Sequence, residues 1–118
     1  MAEKPKLSLI TAKLAAPETE FSTEFVQAMA NRMAVSFHKY GPVSEGYPER
    51  VDAIESLQAR LTMYAKTGNK EWLVDAGNFC MIEFMHPAHP DAHFRPTDSD
   101  ESPGRVRSDG SVDAERNQ

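Results

Sequence analysis

The segment 71–84, EWLVDAGNFCMIEF, limits the possible folds more than any other part of the chain. At about 100° per residue, Trp72, Leu73, Ala76, Phe79, Cys80, Met81, Phe84 and Met85 cover most of a helix circumference. Glu71, Asp75 and Asn78 fall together in one narrow sector, and Ile82 continues it. A helix this apolar has to be buried on more than one side, so it needs at least two neighbours. Pro87 ends it.

The neighbours are legible upstream. In TEFVQAMANRMAVSFHKY, residues 23–40, the apolar groups Phe25, Val26, Met29, Met33, Phe37 and Tyr40 form one stripe. Gln27, Asn31 and His38 fall opposite, and Arg32, Ser36 and Lys39 sit on the stripe's shoulder. Ser22 suits the N-cap, and Gly41 with Pro42 forms a stop. GPVSEGYP reads as a loop, with Pro48 in the first turn of a second helix over 48–67. Ile54, Leu57, Leu61 and Tyr64 give that helix an apolar face, with Val51 at its edge. Gly68 closes it, and Asn69 caps a third helix over 70–85. The pattern predicts an all-α fold, a small bundle of three main helices.

A chain of 118 residues fits one domain, here residues 1–94 with an N-terminal arm over 1–21. Within the arm, KLSLITAKL reads as a short strand or an extended segment that docks on helices or on a second subunit. Residues 95–118 are rich in Ser, Asp, Gly and Arg and read as a mobile polar tail. Two flanking helices cover only part of the third, so a homo-oligomer is expected.

The net charge of −5 argues against general DNA binding, which needs a basic face. Cys80 is the single cysteine and lies in an apolar run, which predicts a buried structural thiol and a reducing compartment. No apolar run reaches the roughly 18 residues of a membrane span. The first residues carry acids and lack a long apolar core, unlike a signal peptide. Together these predict a soluble cytoplasmic protein.

Three constellations bear on chemistry. Carboxylates at i and i+4, Glu71 and Asp75, can jointly hold a hard cation, and the amide of Asn78 one turn on can add a ligand or orient water. The structural alternative has Glu71 complementing the helix dipole, Asp75 paired with an arginine of a neighbouring helix and Asn78 bonded to backbone. Arg32, Ser36, Lys39 and Tyr40 can grip phosphate and stack on a base, or they form a solvated helix edge with Arg32 in a salt bridge. His86, His89 and His93, with Asp91, have ligand chemistry, but two prolines break the helix and the spacing matches no zinc signature. A Pro-rich turn is the better reading of HPAHPDAH.

The helix pair DAIESLQARLTMYAKTGNKEWLVDAGNFCMIEF, preceded by the helix ending FHKYG, resembles the all-α nucleotide pyrophosphohydrolases of the MazG-like superfamily and the small helical dATP/dGTP diphosphohydrolase-like proteins of bacteriophages. The whole chain is similar to small proteins carried by actinobacteria and their phages. The resemblance implies a bundle assembled as a dimer or tetramer, with Mg²⁺ held by acids on adjacent helices. It implies hydrolysis of a nucleoside triphosphate between its α- and β-phosphates. Glu71 and Asp75 would then hold the metal, and Asn78 would orient water or the sugar. Arg32, Ser36, Lys39 and Tyr40 would bind phosphates. The family's first motif, ExxE, has its nearest match in Asp52 and Glu55, and its second, ExxD, in the one-residue-longer spacing of Glu71 and Asp75. The alternative is a phage-type module without catalysis that binds a nucleotide signal or a host protein.

Overall fold

The computed structural model describes residues 16–97. The strand expected within KLSLITAKL and nearly all of the polar tail lie outside them. Three α-helices make up the bundle among the described residues: α1 (Thr23–Tyr40), α2 (Ala53–Thr67) and α3 (Glu71–Met85). Short 3₁₀ turns at Glu18–Glu20 and Val43–Glu45 precede and follow α1, and the described residues contain no strand.

The ends of the helices follow their capping chemistry. Ser22 Oγ accepts a hydrogen bond from Phe25 N at 3.0 Å, which fixes the start of α1. Gly41 closes α1 with φ 84°, its N–H reaching Phe37 O at 2.8 Å. The start of α2 departs from expectation. The helix begins at Ala53 and not at Pro48, because the Asp52 carboxylate accepts from both Ile54 N and Glu55 N, at 2.9 and 3.1 Å. Residues 47–51 instead form turns, closed by Arg50 N and Val51 N on Gly46 O. Gly68 ends α2 in the left-handed conformation. Asn69 Oδ1 then accepts from Glu71 N at 3.0 Å, and α3 starts one residue later than the pattern suggested.

The α3 helix is the centre of the bundle. The short link from α2 makes an αα-hairpin whose two helices pack along their lengths, while α1 meets α3 more sparingly. Gly77 allows that approach, since a Cβ there would stand 3.0 Å from Phe25 Cζ and 3.2 Å from Met29 Sδ. Asn78 Nδ2 donates to Met29 O at 3.1 Å and ties the two helices together.

Part of the polar stripe of α3 is turned inward, while Glu71 at its start stays exposed. Ala76, Asn78 and Ile82 are buried, and Ala53 of α2 is the remaining buried residue among those described. Cys80 therefore departs from the expectation of a buried thiol. It follows Asn78 by two positions, about 200° around the helix, and is exposed. Phe84 and Met85 are exposed too, Phe84 at 72%. No residue of α1 is buried: Met29 and Met33 are half-covered, whereas Phe37 and Tyr40 at the far end of the same stripe are open. No described helix is long and apolar enough to cross a membrane.

Candidate functional site

Glu71 and Asp75 lie one turn apart on α3, and Arg32 of α1 reaches both. Its Nη1 donates to Glu71 Oε2 at 2.9 Å, and its Nη2 lies 3.0 Å from Asp75 Oδ1. Arg60 of α2 approaches Asp75 from the other side, Nε to Oδ2 at 3.5 Å, close enough for an ion pair but without a hydrogen bond. Asp75 is therefore shared by all three helices. Its side chain is 14% exposed, whereas that of Glu71 is 58% exposed. Burial makes an unpaired carboxylate costly, and the two guanidinium groups supply the compensating charge.

Arg60 is held in turn by aromatic faces. Its guanidinium carbon lies 5.1 Å from the Phe79 ring centroid and 5.9 Å from that of Trp72. The planar cation stacks there at little cost in solvation. The same cation acts on Tyr47: burial raises the phenol pKa above 10.0, and Arg60 pulls it partly back.

Of these groups Arg32, Tyr47, Arg60, Asp75 and Phe79 line one cleft of about 350 Å³ between the helices, and Glu71 and Trp72 do not. Arg32, Ser36, Lys39 and Tyr40 of α1 form one wall. Asp75, Asn78, Phe79 and Ile82 of α3 form another, and Arg60 and Tyr47 complete it. The cleft thus joins two constellations that the sequence left separate. It holds three cations against one carboxylate in a chain of net charge −5. Lys39 Nζ lies 5.5 Å from the Tyr40 ring centroid, at the solvent side, where Tyr40 is 75% exposed. Sequence reasoning missed Arg60 and Tyr47. The position of Arg60 one turn from Leu57 and Tyr64 on the packing side of α2 was the available signal.

As a cation site, the pair Glu71 and Asp75 does not fit Mg²⁺ in this arrangement. A guanidinium already spans both carboxylates, and its charge repels a second cation. Among the described residues no group of three or more His, Cys, Asp or Glu side chains stands close enough to hold a metal ion. The second acidic pair does not converge on the cleft either. Asp52 caps α2 and lines a separate groove with Cys80, Glu83, Phe84, His89, His93 and Phe94. In that groove the histidine-rich segment is the turn its prolines suggested. Glu83 Oε2 accepts from Ala88 N and His89 N, and His89 Nδ1 accepts from Asp91 N.

No family model matches the chain, and no curated protein or solved structure is significantly similar to it.

Proposed function

We propose that the cleft binds a nucleotide or a nucleotide-like phosphorylated small molecule. The observation that carries this reading is the convergence of Arg32, Lys39 and Arg60 from two helices on one concavity. Guanidinium forks match phosphate oxygens in geometry as well as charge, and an ammonium adds a mobile point charge. Ser36, Tyr40 and Tyr47 add hydroxyls, and the exposed Tyr40 ring offers a face for a base. The engagement of Glu71 and Asp75 by Arg32 favours binding without catalysis over Mg²⁺-dependent pyrophosphohydrolysis. Calorimetric titration with ribonucleoside triphosphates, with and without Mg²⁺, tests the reading. Binding that is lost in Arg60→Met supports it, and no binding by any of the four overturns it. Pyrophosphate release that depends on Mg²⁺ and vanishes in Asp75→Asn would establish the hydrolase instead.

The small interior supports assembly with a second copy of the chain. A single copy leaves Val35, Phe37, Leu61, Phe84 and Phe94 open, and α1 buries nothing fully. Apolar exposure on this scale belongs to an interface. Light scattering at micromolar concentration is expected to give at least a dimer; a clean monomer overturns self-association.

A further inference from the structure

Three buried side-chain atoms among the described residues lack a hydrogen-bond partner, and two of them, Asn78 Oδ1 and Arg60 Nε, belong to residues of the cleft. Asn78 is 5% exposed. Its amide orientation is set, because Nδ2 is spent on Met29 O at 3.1 Å. The carbonyl end is left as a buried acceptor without a partner. Buried acceptors of this kind are met by a donor in nearly all folded proteins. An ionised phosphate cannot be that donor, since its oxygens only accept. The cations of the cleft and Asn78 Oδ1 therefore ask for opposite chemistry.

We infer that the ligand of this cleft is bipolar: an anionic end held by Arg32, Lys39 and Arg60, and a neutral N–H or O–H donor that meets Asn78 Oδ1. Asn78 is then the residue that sets specificity, while the cations set affinity. This rests on the cleft being a phosphate-ligand site, and it goes further by stating what the rest of the ligand must carry. A base amino or ring N–H group and a sugar hydroxyl supply the same donor chemistry. A ligand that is only an anion leaves Asn78 Oδ1 unmet and forfeits that contribution.

Calorimetry on the full chain separates these sources. The probes are inorganic tripolyphosphate, the tightest-binding of the four ribonucleoside triphosphates, and three analogues of that nucleotide. One analogue lacks the base donor, one the 2′-hydroxyl and one the 3′-hydroxyl. Tripolyphosphate is expected to bind, but more weakly than the nucleotide. Removal of one particular donor is expected to weaken binding roughly 10- to 100-fold. Asn78→Leu is expected to abolish that difference, so that nucleotide and analogue bind it alike. Should Asn78→Leu fail to fold, the analogue series on the parent chain decides alone. Tripolyphosphate binding as tightly as the nucleotide, or all analogues binding equally, overturns the inference while leaving an anion site in place. No binding by any probe removes both readings.

Discussion

Replacing Asp75 with Asn tests the central polar contact, because it keeps the shape and removes the charge. Asp75 is the sole acid among the described residues lining the cleft and lies against two cations, with Arg32 Nη2 at 3.0 Å and Arg60 Nε at 3.5 Å. Exposed ion pairs contribute about 0–1 kcal/mol. Breaking a fully buried one costs about 3–5 kcal/mol. Asp75 is 14% exposed and its arginines more so, which places the expected cost between these limits, at about 2 kcal/mol. Asn can still accept one hydrogen bond from Arg32, but Arg60, already without a hydrogen-bond partner at Nε, loses its neutralising charge. In a domain of this size, about 2 kcal/mol corresponds to a fall in Tm of roughly 8–16 °C. The control is Glu71→Gln. That carboxylate is 58% exposed, so its removal is expected to cost no more than about 0.5 kcal/mol. Thermal melts of both variants by circular dichroism make the comparison, and added salt should narrow the gap for Glu71 more than for Asp75. If Asp75→Asn melts at or above the parent, the carboxylate is retained against stability. The account of Asp75 as half of a structural ion-pair network would then be wrong.

Other perturbations follow from the helix ends and contacts. Asp52→Ala removes a carboxylate bonded to two backbone N–H groups and is expected to cost about 1 kcal/mol by urea denaturation; an unchanged midpoint would refute its role as the cap. Gly77→Leu forces side-chain volume against Phe25 and Met29 and is expected to destabilise by about 1–3 kcal/mol. A neutral result in the same denaturation assay would show that α1 does not hold its place against α3. Tyr47 is raised above 10.0 by burial, so the folded state prefers the neutral phenol. Its contribution is intact below about pH 10 and is lost as pH rises through the folded pKa. Phenolate absorbance, read as the difference between parent and Tyr47→Phe, should show the late titration. Arg60→Met should move it later still, and an earlier one would contradict the burial argument.

The helices themselves were legible because their signals are local. Period-3.6 stripes, Ser22, Gly41, Gly68 and Asn69 act within a turn or two of chain, and α1 matches its expected bounds. The error at α2 has the same local origin. Pro48 is compatible with a first helical turn, but Asp52 satisfies two N–H groups and wins.

What the sequence by itself determined is the all-α class, the three helices and the polar stripe on the third. The tertiary structure alone decided what the stripe faces. Apolar periodicity placed Phe84 and Cys80 among the groups to be covered, but the described fold buries Ala76, Asn78 and Ile82 and leaves Phe84 and Cys80 exposed. A helical projection orders residues around one axis and carries no information on where a neighbour sits. Arg32 could read equally as a surface charge, and only the approach of α1 to α3 at Gly77 brings it onto both acids. Arg60 enters through the packing of α2, a contact 15 residues distant in sequence from Asp75, which no local pattern encodes. The cleft is a property of three helices at once, and so are the unmet acceptor on Asn78 and the cations around it.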